Sequence, residues 1–90
     1  MSPEDDAILR AIEKFNGDMS DATARFVRKS ENFIHIEMSG TFCCSLAGIC
    51  DYFDELALKL EAELNSRVEV ISADRVTVNS YLVIYKIYKD

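Results

Sequence analysis

The stretch Gly48-Ile-Cys-Asp-Tyr-Phe-Asp-Glu-Leu-Ala-Leu-Lys-Leu-Glu-Ala-Glu-Leu64 decides how this chain folds. At about 100° per residue, Leu46, Ile49, Cys50, Phe53, Leu56, Ala57, Leu60 and Leu64 fall on one arc roughly 120° wide, the apolar stripe of a helix lying on a core. Asp51, Asp54, Glu55, Lys59 and Glu61 fall off that arc. Glu55 precedes Lys59 by one turn, the favourable order for an ion pair on an exposed helix face. Asn65-Ser66 ends the run, and β-branched residues take over.

Beyond the helix, Arg67-Val-Glu-Val-Ile71 alternates as a strand does. Ser72-Ala-Asp-Arg75 either turns this strand or carries it on to Val78, and Asn79-Ser80 is the clearer turn. Tyr81-Leu-Val-Ile-Tyr-Lys-Ile-Tyr88 is apolar on both faces down to Tyr85. Such a run suits a strand covered on both sides or one paired with a partner chain, and its place at the end of the chain admits a sheet-edge position.

Before the helix, Phe42-Cys-Cys-Ser45 leads in, with Ser45 as N-cap. Gly48 in the first turn costs about 1 kcal/mol relative to Ala, which suggests close packing or a ligand approach. Phe33-Ile-His-Ile-Glu-Met38 alternates, with Ile34, Ile36 and Met38 toward the core and Phe33, His35 and Glu37 on the opposite face. Ser30-Glu31-Asn32 separates it from Thr23-Ala-Arg-Phe-Val-Arg-Lys29, which predicts a hairpin after Ser39-Gly40-Thr41 is taken as the break. At the start, Ser2-Pro3-Glu4-Asp5 opens a first helix. Its buried stripe is Ile8, Ala11, Ile12 and Phe15, Asp6 faces Arg10 one turn on, and Asn16-Gly17 supplies a left-handed stop.

The predicted order is therefore α-β-β-α-β-β in one α+β domain over residues 1–90. Two helices on one face of a mainly antiparallel four-stranded sheet is the simplest two-layer sandwich that buries both helical stripes. A chain of 90 residues with 49% apolar and 29% charged residues has the composition of a folded domain with one small core.

The net charge of −6 argues against nucleic acid, which would have to use Arg25, Arg28 and Lys29. No apolar run approaches the roughly 20 residues that span a bilayer, and the first residues lack the basic start of a signal peptide. These features predict a soluble, cytoplasmic protein with no membrane partner. Three cysteines cannot all pair internally, so reduced thiols are expected.

Cys43, Cys44 and Cys50 lie around the start of the central helix, where amide dipoles favour thiolates. They are the candidate ligands for zinc or an iron–sulfur cluster, with His35 as the one imidazole in the chain. The more ordinary reading makes them structural thiols and needs no cofactor. Phe33, His35, Tyr81, Val83 and Tyr85 are the candidate residues for an apolar small ligand or a partner protein. Asp51, Asp54 and Glu55 sit on the outer helix face, as solubilising charges do. No phosphate loop, dinucleotide fingerprint, nucleophile elbow or zinc-protease motif occurs, so no catalytic set is assigned.

Two families share parts of this pattern. Phe33-Ile-His-Ile-Glu-Met, Cys50-Asp-Tyr-Phe and the paired ending Arg67-Val-Glu-Val with Tyr81-Leu-Val-Ile-Tyr resemble the 4-vinyl reductase type of small-molecule-binding domain over residues 33–87. Cys50 is the motif residue that carries over, and the resemblance implies a ligand site. Over residues 3–72, the order helix, two strands, a Gly40-Thr-Phe-Cys43 turn, helix and strand is similar to the C-terminal domain of NifU-type iron–sulfur scaffolds. There the resemblance implies a cluster held by thiolates, although Cys43 and Cys44 are adjacent where that family separates its pair by two residues. The residues together point to a small non-enzymatic module that binds a protein or an apolar ligand on its sheet, with self-association through the C-terminal strand. The alternative is a cysteine-based metal or iron–sulfur carrier.

Overall fold

The computed structural model describes residues 3–40 and 49–88. Helix α1 (Pro3–Asp18) is followed by strands β1 (Thr23–Ser30) and β2 (Phe33–Ser39), helix α2 (Ile49–Leu64) and strands β3 (Arg67–Thr77) and β4 (Ser80–Tyr88). All pairings are antiparallel, and the strand order is β1-β2-β4-β3. The expected α+β sandwich is the observed one. Moving β4 to the front of the chain would give β-α-β-β-α-β, so the topology is a circular permutation of the split β-α-β arrangement.

Helix α1 buries Ala7, Ile8, Ala11, Ile12 and Phe15, at the spacing its sequence stripe requires. Helix α2 buries Phe53, Leu56, Ala57 and Leu60, with Leu64 half-buried. Both stripes meet Ile34, Ile36 and Met38 of β2 and Val83, Tyr85 and Ile87 of β4 in one core. Each fully buried Leu, Ile or Phe there stabilises the fold by about 1.5–3 kcal/mol. Lys59 pairs with Glu55 as its spacing predicts, but lies closer to Asp18 of α1, at 2.7 Å against 3.4 Å.

Two local expectations are corrected, and one open choice is decided. Helix α1 runs through Asn16-Gly17 to Asp18, and Gly17 does not take a positive φ. Asn16 is instead engaged by the backbone of Ala24. Arg10 bonds Glu63 of α2 at 3.0 Å rather than pairing with Asp6. Of the two readings of Ser72–Arg75, turn or continuation, the structure has the continuation of β3. Residue shifts at Ile71 and Val76 let the strand keep its pairing with β4 through a polar stretch.

The left-handed positions fall elsewhere. Glu31 (φ 55°) forms the tight β1–β2 turn, Asn65 (φ 54°) ends α2, and Gly40 (φ 136°) follows β2. A Cβ on Gly40 would collide with the Asp21 carbonyl oxygen. Only glycine allows that approach of two backbones.

The last strand is not at an edge. Strand β4 lies between β2 and β3, so its backbone is paired on both sides. Edge pairing of the C-terminal strand with another chain is thereby excluded, and any surface that β4 offers is a face.

Candidate functional site

Register assigns the sheet's two faces residue by residue. Ile36 of β2 pairs with Val83 of β4, and Ile34 with Tyr85, all fully buried beneath the helices. The neighbouring rows point the other way. One outer row runs Arg28, His35, Ile84 and Ser72, and the next runs Arg25, Glu37, Leu82 and Asp74. At the far end Phe33, Lys86 and Glu69 make a third row, with Arg67 beside Tyr88 beyond it.

The five candidate binding residues are thus divided between the faces. Phe33 and His35 lie half-buried on the outer face. Val83 and Tyr85 are wholly buried on the inner face, and half-buried Tyr81 packs edge-on against Phe53, 5.6 Å between ring centres. Tyr85 donates its hydroxyl to the Phe53 carbonyl at 2.9 Å, and burial pushes its pKa far above the ordinary tyrosine value, with the Asp54 charge adding to the effect. It is a core phenol held neutral. Leu82 and Ile84, not singled out in the sequence, take the outer positions on β4. Lys86 is the signal that could have found them, because a charged residue there fixes the even positions of this strand to the outside.

Cys43 and Cys44 lie outside the described residues, and of Cys50 only the backbone is described, in the first turn of α2. His35 faces away from the helix layer, so the sheet stands between its side chain and α2. Among the described residues no group of three His, Cys, Asp or Glu side chains is placed to hold a metal ion. Among them, too, every buried side-chain N or O atom has a hydrogen-bond partner. A groove at Arg10, Glu13 and Lys14 lies along α1, where Arg10 and Lys14 are already engaged with Glu63.

On each open edge of the sheet a helix side chain takes up one position of the edge backbone. Asn16 of α1 donates to the Ala24 carbonyl at 3.0 Å and accepts from the Ala24 N–H at 2.7 Å, as a neighbouring strand would. Glu61 of α2 accepts from the Val68 N–H at 3.0 Å. Interruptions of register at Val27 in β1 and at Ile71 and Val76 in β3 break up the remaining edge backbone. Plugs and bulges of this kind stop a sheet from adding strands.

The outer face has no such cover among the described residues. Its centre is Phe33, His35, Leu82 and Ile84, half-buried by one another, with exposed Val27 and Ile71 at 43% and 46% on either flank. Charge is divided across the molecule in the same sense. The two helices carry ten acidic and three basic residues, a net −7, whereas the four strands carry three acidic and six basic residues, a net +3. On the outer face itself the cations are Arg25, Arg28, Arg67 and Lys86 and the anions Glu37, Glu69 and Asp74. Lys86 sits over the rings of Phe33 and Tyr88, at 5.9 and 5.0 Å from their centres, which shields aromatic surface while keeping the ammonium in water.

No protein-family model, curated protein or solved structure matches this chain. Among the described residues no helix is long and apolar enough to cross a membrane.

Proposed function

We propose that this protein is a small non-enzymatic binding module that docks a partner protein on the outer face of its sheet. The observation that carries the reading is the contrast between edges and face: Asn16 and Glu61 each occupy a position on a sheet edge where an added strand would pair, while the apolar centre at Leu82 and Ile84 is left without a described cover. A sheet of this kind normally keeps one face on its core and gives the other to water with polar residues. Here the middle of the water-facing side is apolar and its rim is charged, the anatomy of a protein interface. An apolar small ligand is less well served, since the space between sheet and helices is filled by Tyr85, Phe53 and Met38.

A photo-reactive amino acid placed at position 35 tests this in cells, with the same probe at Leu58, 60% exposed on α2, as control. Cross-linking to protein at position 35 and not at Leu58, removed by Ile84→Lys in a variant that keeps its circular dichroism spectrum, is the expected result. Equal cross-linking at both positions, or none at 35, overturns the reading.

A further inference from the structure

We infer that the partner on the outer sheet face is a second copy of this chain, docked face to face about a two-fold axis running along the strands. The inference rests on the docking face proposed above and adds its occupant and geometry.

Charge decides the occupant. A second copy approaching the helix layer would meet a net −7 with its own excess of acid, whereas the outer sheet face holds four cations and three anions. Face-to-face docking also sets the two acidic helix layers as far apart as the molecule allows, so repulsion between them is weakest there.

Charge also decides the axis. The cations Arg25 and Arg28 lie on β1 at one edge, and Asp74 and Glu69 lie on β3 at the other. A two-fold perpendicular to the strands would lay β1 on the partner's β1, arginine against arginine. A two-fold along the strands, between β2 and β4, lays β1 over the partner's β3 and makes the contact isologous. Arg25 then stands in the row of the partner's Asp74, with Arg28 one row away, within reach of a long side chain across sheets about 10 Å apart. Neither Arg28 nor Asp74 has an ion-pair partner among the described residues of its own chain. At the centre, β2 lies over the partner's β4, which places His35 over Ile84 and Phe33 over the partner's Lys86.

Four strands about 4.8 Å apart, with about 23 Å of shared register, give a footprint of roughly 450 Å² on each copy and so about 900 Å² over the two. That total lies below the roughly 1,200 Å² at which standard interfaces begin, so the dimer is a reversible one with a micromolar or weaker dissociation constant. Added salt weakens it further through the arginine–aspartate contacts.

Sedimentation equilibrium of the full chain, from about 5 µM to about 1 mM at low salt, spans the range such an interface demands. The expected result is a monomer–dimer equilibrium that Ile84→Lys abolishes. Arg28→Asp or Asp74→Arg alone weakens association by about tenfold or more, and the double variant restores it to within a fewfold of the native chain. A strict monomer at the top concentration, association untouched by Ile84→Lys, or a double variant no better than the single ones overturns the second copy as partner. The two readings fail separately. Cross-linking at position 35 to a different protein in a monomeric chain keeps the docking face and removes only the dimer, while a dimer indifferent to Ile84→Lys removes the face itself as its interface.

Discussion

Asn16 pairs with Ala24 as a strand would, accepting from its N–H at 2.7 Å and donating to its C=O at 3.0 Å. One amide side chain thus satisfies both backbone groups that an edge residue turns outward, and it ties the end of α1 to β1. Asn16→Ala leaves a donor and an acceptor of half-closed backbone without partners, at a cost of about 1–3 kcal/mol. Asn16→Asp keeps the acceptor but sets a carboxylate against the Ala24 carbonyl, and is expected to fall between the two. Urea denaturation ranks the variants, and hydrogen exchange at Ala24 is expected to rise in Asn16→Ala more than at any β4 amide. An unchanged midpoint would show that water replaces the amide without loss.

Gly40 gives the second prediction. Its φ of 136° and the collision of a Cβ with the Asp21 carbonyl leave no room for a side chain. The Gly40 N–H also donates to the Asn79 carbonyl at 3.0 Å, so the backbone cannot relax freely. Gly40→Ala is expected to destabilise by about 2–3 kcal/mol, strain and displacement together. Thermal unfolding checks it, and a melting point equal to the native one would mean that the 21–22 segment moves aside at no cost.

The core supplies the third. Phe53 and Leu60 are 4% and 0% exposed, and the Phe53 carbonyl accepts from Tyr85, whereas Asp54 faces solvent. Phe53→Ala and Leu60→Ala are expected to cost about 2–5 kcal/mol each, and Tyr85→Phe about 0.5–1.5 kcal/mol for the lost hydrogen bond. Asp54→Ala is expected to change little. Denaturation midpoints that placed Asp54→Ala lowest would mean that the buried arc of α2 is rotated.

These sites also show what the sequence could and could not reveal. The arcs of both helices and the alternation of β2 were legible because burial imposes a period on adjacent residues. Asn16-Gly17 has the composition of a helix stop, and nothing local says that the amide is needed by Ala24 eight residues on. Ser72–Arg75 has a composition that suits a turn or a strand, and pairing with β4, visible only in three dimensions, holds it extended. Strand order is likewise a property of long-range pairing, so the end of the chain gave no hint that β4 is central. For the candidate site, Phe33 and His35 were found by alternation, while Tyr81, Val83 and Tyr85 came from a run in which every position is apolar and hides its own parity.

The last prediction concerns acid. Glu63 of α2 accepts from Lys14 at 2.5 Å and from Arg10 at 3.0 Å, both on α1, and these two cations hold its carboxyl below the ordinary glutamate range. A carboxylate whose folded pKa is depressed contributes stability that is complete above its unfolded pKa and is lost as pH falls through the folded value. The clasp between the helices is therefore expected to be present at neutral pH and to disappear below the usual carboxylate range. Glu63→Gln keeps the shape and removes the charge, so its melting point should lie below the native one at pH 7. As pH falls past the depressed value the two should converge, because native Glu63 is then neutral as well. Other acids titrate over the same window but do so in both proteins, which leaves the difference as the measure of this one group. Arg10 and Lys14 are more than half exposed, so high salt should shrink the difference at neutral pH. A difference that stays constant from neutral pH into strong acid would mean that Glu63 joins the helices by packing alone.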